Sequence, residues 1–379
     1  MKVADVVRVL ESLAPRDLAE DWDNVGLLVG DRQRRVTKLM TCMDVTECVL
    51  AEAVQARAQM ILAHHPVIFK HVARVTADDA PVVYEAARRG IAIYAAHTNL
   101  DNAAGGTNDV LADAIGLQDR RALSPLARPG QCKIVVFTPA EDVSRVAEAA
   151  FHAGAGQIGN YRRCAFAAHG LGSFCGMPGT RPAVGQPGSE EVVEELRLEM
   201  ICPRAKAPAV RDAIAGVHSY ETPAIDVIPL EDFPAGCGAG RIGVLPKPTT
   251  VKTVITRLKK ATGSPCIRLA TPLAAGAVKA AGKSQGQGML VRNVAVFTGS
   301  GGSGWRSAVA AGASLYVTGE MGHHDALDAT AAGLTVLCLG HGSSERIGIQ
   351  ALARRAAETL DKLKLIDSTT DHDPFASVR

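Results

Sequence analysis

The sequence predicts an α/β protein whose core is split into two segments by a ferredoxin-like insert. Three observations predict it. Short apolar runs alternate with helical periodicity at both ends of the chain, the pattern of a largely parallel sheet covered on both sides. The middle of the chain reads strand–helix–strands–helix–strand. Gly/Pro-rich joins flank that middle part, so the domains are expected at residues 1–125, 126–232 and 233–379.

Taken in order, Val3, Val6, Val7, Leu10 and Leu13 mark one face of an opening helix. Asn24–Gly30, Lys38–Met43, Met60–Ala63 and Ile91–Ala96 are expected strands. Thr46 N-caps a helix to Ala56, and Pro81 opens another that ends at Arg89. Ala122–Gly130 reads as a linker. The insert follows, with strands at Lys133–Phe137, Leu196–Cys202 and Ala224–Leu230 and helices at Ala140–Ala153 and Lys206–Ala215. Arg181–Glu190 is a loop, and Pro234–Gly238 marks the exit. The third segment holds a helix at Val251–Ala261 and strands at Val291–Thr298, Ser314–Thr318 and Thr335–Leu339. A long helix is expected over Ser344–Leu363, then a polar, frayed tail from Asp367.

Composition narrows the function. The 379 residues carry 41 Lys+Arg against 39 Asp+Glu, a net charge of +2 that leaves no footprint for non-specific nucleic-acid binding. Hydrophobic residues make up 47 %, enough for real cores, yet no run is long enough to span a membrane. Asp5, Arg8 and Glu11 interrupt the N-terminal apolar pattern, which argues against a signal peptide. Nine cysteines, an odd number without a CxxC pair, fit reduced thiols in a cytoplasmic protein.

Several of the 11 histidines follow strands, where ligands gather in open α/β sheets. His64 and His65 follow one strand, His97 and Asp101 a second, His341 and Glu345 a third. Imidazoles with carboxylates and no thiolate suit a catalytic Zn²⁺, Fe²⁺ or Mn²⁺ site. With His97 set aside, five candidates remain: too many for one tetrahedral ion with an open position, and about right for two ions sharing a carboxylate. A lone strand-end histidine is more often a core residue. Adjacent residues on a strand also point to opposite faces, so one of His64 and His65 can ligate while the other packs. His71, His152, His169 and His372 have no carboxylate company, and His323 and His324 read as substrate-facing rather than ligating. Gly282-Lys283-Ser284 is not a Walker loop, because the required upstream glycine is Ala277. Gly299–Gly304 reads either as an anion-binding nest or as a tight strand-to-helix turn.

Asp23-Asn24-Val25-Gly26-Leu27, His64-His65-Pro66, His97-Thr98-Asn99-Leu100-Asp101 with Gly105-Gly106, Thr318-Gly319-Glu320 and Gly340-His341-Gly342-Ser343-Ser344-Glu345 occur in that order. Together they resemble the Nif-three-like family of GTP cyclohydrolase I type 2 homologues. The resemblance implies a toroidal homohexamer with two divalent metal ions per subunit (Zn, Fe or Mn). It implies that His64, His65, Asp101, His341 and Glu345 are the ligands, with Glu345 bridging, and that His97 stands near the metals without ligating them. The middle segment, through Gly159–Phe166 and His218–Ala224, resembles the PII-like or CutA-like insert of longer members.

Two functions follow. One is a metal-dependent hydrolase acting on a small molecule, GTP in the family version, opened at C8 of the guanine to give formate and dihydroneopterin triphosphate, with His97 moving the proton. The other is a non-catalytic metal-binding regulatory or metal-handling module with a ligand-sensing insert.

Overall fold

The computed structural model describes residues 1–126, 130–230, 236–272 and 286–375. Residues 127–129 of the expected linker, Pro234 and Ala235 of the expected exit, and the Ala277 and Gly282-Lys283-Ser284 positions lie outside the described residues. The chain divides into two compact units, Met1–Leu126 with Ala235–Arg379, and Ala127–Pro234.

The first unit opens with α1 (Val3–Leu13), β1 (Gly26–Val29), β2 (Lys38–Cys42), α2 (Glu47–Gln55), β3 (Met60–Ala63), α3 (Pro81–Arg89), β4 (Ala92–Ala95), α4 (Thr98–Asn102), α5 (Thr107–Ile115) and β5 (Gln118–Pro125). The second unit supplies β6 (Gln131–Thr138), α6 (Val143–His152), β7 (Phe166–Cys175), β8 (Glu190–Pro203), α7 (Ala207–Ala215) and β9 (Ile225–Pro229). The first unit then resumes with β10 (Gly238–Thr250), α8 (Val251–Thr262), β11 (Arg268–Ala270), β12 (Leu290–Ser300), α9 (Trp305–Ala310), β13 (Leu315–Glu320), α10 (His323–Ala331), β14 (Thr335–Cys338), α11 (His341–Thr359) and β15 (Lys364–Asp367).

In the first unit, one sheet runs β1-β4-β3-β2-β15 and is parallel except at β1. Its strands are apolar on both faces because both are covered. Leu39, Met60, Leu62 and Tyr94 pack against α1 and against Ile349, Leu352 and Ala353 of α11. Met40, Ile61 and Ile93 pack against Val49, Leu50 and Ala53 of α2 and Val83 and Ala86 of α3. Each fully buried Leu or Ile contributes about 1.5–3 kcal/mol. The other sheet runs β11-β14-β13-β12-β10-β5, with β12, β13 and β14 mutually parallel. Helices α5 and α8 cover one face, and α9 and α10 the other.

The second unit is one antiparallel sheet ordered β7-β8-β6-β9, the ferredoxin-like arrangement. Ile134, Val136, Leu198 and Met200 meet Val146 and Ala150 of α6 and Val210 and Ile214 of α7.

Three expectations need correction. Ala122–Pro125 is strand, not linker, because β10 offers it a backbone partner from Gly238↔Pro125 to Arg241↔Ala122. Helix α11 begins at His341, since Gly340 at φ +97° turns the chain directly out of β14. The tail is not frayed where it was expected to be. β15 pairs with β2 up to Asp367↔Thr41. Beyond it, Glu52 accepts from Thr369 N at 2.9 Å and Thr370 N at 3.1 Å, and buried Asp371 accepts from Met43 N at 2.7 Å. The segment carries only two apolar side chains, Leu365 and Ile366, so hydropathy under-reports it. All nine cysteines are unpaired. Among the described residues no helix is long and apolar enough to cross a membrane.

Candidate metal centre

The carboxyl ends of the parallel strands in both sheets supply the site. His64 and His65 follow β3, His97 and Asp101 follow β4, and His341 with Glu345 opens α11 directly after β14. A spacing of four residues puts His341 and Glu345 on the same face of that helix. The five candidate ligands and His97 therefore converge from both flanking segments. They form three overlapping donor groups, His64–His65–His97, His65–His341–Glu345 and His64–Asp101–Glu345.

The Glu345 carboxylate is 3 % exposed and splits its two oxygens. Oε1 lies 3.6 Å from His64 Nε2, which lies 3.8 Å from Asp101 Oδ1. Oε2 lies 3.5 Å from His65 Nε2 and 3.3 Å from His341 Nε2. Most of these separations exceed a good hydrogen bond. Two ligands each about 2.1 Å from a tetrahedral ion lie about 3.4 Å apart, so these are the spacings of donors sharing a cation. His64 Nε2 and Glu345 Oε2 are buried without a hydrogen-bond partner. A native fold rarely leaves such atoms orphaned, and divalent ions would satisfy both. The donor set fits the metals.

Each imidazole is turned to the centre by a partner on its other nitrogen. Nδ1 of His64 donates to Ala96 O at 2.8 Å, that of His65 to Asp44 Oδ1 at 2.9 Å, that of His97 to Asp23 Oδ1 at 2.9 Å, and that of His341 to Glu320 Oε1 at 3.0 Å. This turns each Nε2 inward, and a neutral ring so oriented would offer its Nε2 lone pair to a metal. Asp101 is held likewise. Thr107 Oγ1 donates to its Oδ1 at 2.5 Å and lies 3.0 Å from Thr298 Oγ1, while Asn108 Nδ2 donates to Asp101 O.

The charges follow from the crowding. Burial disfavours a charged His64 ring, yet the Glu345 and Asp101 carboxylates outweigh it and raise its pKa. Burial likewise opposes protonation of His65, but the hydrogen bond to Asp44 and the facing Glu345 carboxylate carry it to about 10. Burial raises Asp101. Glu345 resists burial and stays below the usual carboxylate range because His64, His65 and His341 face it. Asp23 is held at about 2, its burial overridden by hydrogen bonds from His97 and Thr98. Without metal, His64 and His65 are therefore biased towards their protonated forms, and a bound metal would displace those protons.

His64 and His65 do not obey strand alternation. β3 ends at Ala63, the chain bends before Pro66, and both rings reach the cluster with centroids 5.2 Å apart. His323 and His324 are exposed, stack edge-to-face on each other at 5.4 Å, and join none of the three groups. The glycine loop is built for close approach. Gly299 has φ +65°, and a Cβ there would lie 2.0 Å from Glu345 Oε1. Three of its amides are already used: Gly299 N donates to Ser344 Oγ, Gly301 N to Gly299 O, and Gly304 N to Gly301 O. The tight-turn reading accounts for these amides, and they are lost to an anion nest.

Sequence reasoning missed the orienting partners Asp23, Asp44, Glu320 and Thr107. Asp44 was findable, since it stands two residues past β2. Asp23 and Glu320 sit inside quoted motifs whose roles only the tertiary contacts reveal.

The profile of a family described as Duf34/NIF3 (NGG1p interacting factor 3) matches residues 1–374. The chain is similar to a Halalkalibacterium halodurans protein named GTP cyclohydrolase 1 type 2 homolog, at 36 % identity over 387 residues covering 100 % of both. It is 34 % identical over 376 residues to the Bacillus subtilis protein of the same name, covering 98 % of this chain and 97 % of that one. Among solved structures it resembles a Bacillus cereus protein related to NIF3, with a TM-score of 0.71 at 34 % identity, covering 100 % of this chain and 99 % of that one. It also resembles the Staphylococcus aureus protein SA1388, with a TM-score of 0.78 at 26 % identity and the same coverage.

Proposed function

The chain belongs to the Duf34/NIF3 family, and from that premise we propose that it is a dinuclear-metal-dependent hydrolase of the GTP cyclohydrolase 1 type 2 kind. The observation that carries the reading is the split Glu345 carboxylate, one oxygen beside His64 and the other beside His65 and His341. In this reading Glu345 would be shared between two divalent ions of Zn, Fe or Mn. His64 and Asp101 complete one ligand set, and His65 and His341 the other. Bound divalent ions would lower the pKa of a water molecule and polarise an electrophilic carbon or phosphorus.

The chain's own residues do the rest. Asp44, Glu320 and Ala96 O orient the imidazoles. His97 is the proton carrier. Its Nδ1 is anchored on Asp23, whose carboxylate stays charged, so the ring is held in place with its other nitrogen free to move a proton. Its ring lies 5.2 Å from His64 and 5.5 Å from His65, so a proton has only a short path to travel. The substrate is GTP, opened at C8 of the guanine with loss of formate to dihydroneopterin triphosphate, in a homohexamer.

A cavity of about 420 Å³ in the second unit favours the other reading, a metal-binding regulatory module with a ligand-sensing insert. Phe137, Phe174, Tyr220, Glu195 and Glu221 line it. Metal analysis combined with a GTP turnover assay on metal-loaded protein separates the two. Formate release that depends on metal supports the hydrolase. Stoichiometric metal with no turnover of GTP or related nucleotides favours the module.

A further inference from the structure

We propose that Trp22 and Phe69 form a stacking platform that takes the planar heteroaromatic ring of the substrate beside the metal centre. This rests on the hydrolase reading of the same site and goes beyond it by assigning the group that recognises the ring.

Both side chains are exposed, Trp22 by 60 % and Phe69 by 52 %. Large aromatic rings normally bury most of their surface, so two neighbouring exposed ones call for a partner. They are also held in place. Asp23 N donates to Glu20 O at 3.0 Å, and Glu20 N donates to Thr98 Oγ1 at 2.9 Å, closing the turn that carries the indole. Immediately after the indole, the Asp23 carboxylate accepts from His97 and from Thr98 N at 3.0 Å. Asn24 Nδ2 donates to Ile68 O at 2.6 Å, which ties this turn to the residue before Phe69. The backbone that carries the two rings is thus held by the fold, which reduces the ordering left to ligand binding.

Their location selects the ligand group. The indole centroid is 5.9 Å from Phe69 at an interplanar angle of 61° and 5.9 Å from His97 at 74°. Both contacts are edge-to-face, and His97 in turn lies 5.2 Å from His64. A flat ring lying against the indole therefore has His97 at its edge and the donor cluster one ring beyond. An indole and a phenyl ring recognise π-faces and apolar surface, which matches a nucleobase-like heterocycle rather than a phosphate.

The chain has two tryptophans, which makes the test direct. Trp305 is 8 % exposed beneath the Arg306 guanidinium, so quenching by an added ring reports Trp22. The full-length, metal-loaded protein is titrated with guanosine 5′-monophosphate and, separately, with inorganic triphosphate. The nucleotide should quench and the triphosphate should not. Trp22→Leu should abolish the quench and weaken nucleotide binding by about 5- to 150-fold at unchanged metal content. Trp22→Phe, which keeps a π-face, and Phe69→Leu should show intermediate losses. Absence of quenching in the wild type, or equal nucleotide affinity in Trp22→Leu, overturns the platform. Ring-dependent quenching without any nucleotide turnover leaves the platform standing and removes the hydrolase reading. GTP turnover with an unchanged KM in Trp22→Leu does the reverse.

Discussion

Replacing Gly299 by alanine tests how closely the second sheet is built around Glu345. The added Cβ would stand 2.0 Å from Glu345 Oε1 and 3.0 Å from its Cδ, a contact no real side chain tolerates. Gly299 also has φ +65°, where an L-residue costs roughly 1–2 kcal/mol. In a unit of this size that strain lowers Tm by roughly 2–4 °C per kcal/mol. The larger effect falls on metal. Glu345 is buried on α11, so its carboxylate must swing away from His64 to relieve the clash, and the ion proposed for His64 and Asp101 would lose a ligand. Losing an outer partner alone costs about 10–100-fold in metal affinity, and a displaced ligand should cost at least that. Chelator competition followed by metal analysis reads the affinity, and calorimetry reads Tm. Gly302→Ala is the control within the same loop, since its added Cβ meets nothing closer than 3.5 Å. Wild-type metal affinity in Gly299→Ala would refute the reasoning.

Two further predictions concern protons and the tail. His97→Ala should cost about 10²–10⁴-fold in turnover while both ions stay bound; a parallel loss of metal would make His97 a ligand instead. Glu52 resists the effect of burial and is held at about 2 by hydrogen bonds from Ser368, Thr369 and Thr370. A carboxylate depressed on folding adds stability that is present above its ordinary value near 4.5 and is lost as pH falls towards 2. Protection of the Thr369 and Thr370 amides, measured as exchange relative to the intrinsic rate at each pH, should therefore fall on acidification, and Glu52→Gln should lower it at neutral pH; protection in that variant as high as in wild type would refute the account.

The strands that carry His64, Asp101 and His341 were legible because buried parallel strands are apolar throughout, and polar residues at their carboxyl ends stand out. The ferredoxin-like order of the second unit was legible in outline from alternating elements, although β7 at Phe166–Cys175 fell on no expected strand and β8 runs over Glu190–Pro203, well beyond the expected Leu196–Cys202. What escaped depended on distant contacts. The linker reading of Ala122–Pro125 failed because β10, more than 100 residues later, supplies the pairing. β15 escaped because its two apolar residues earn their place only beside β2. The alternation rule misled at His64-His65 because the strand stops one residue too early for it to apply. Asp23, Asp44 and Glu320 each orient a histidine from another element, 74, 21 and 21 residues away in sequence. No local pattern encodes such pairings.

The central claim is that Glu345 serves two ions at once, and metal content in wild type and Glu345→Gln tests it most directly. Elemental analysis of purified, metal-loaded wild type should give about two divalent ions per chain, since the donor set exceeds what one ion needs. Glu345→Gln keeps the shape of the side chain and removes its charge, so occupancy should fall at both positions. His64→Ala should empty mainly the ion shared with Asp101, and His65→Ala mainly the one shared with His341. A Glu345→Gln protein that retains two ions at wild-type affinity, or a wild type that saturates at one, would contradict the account.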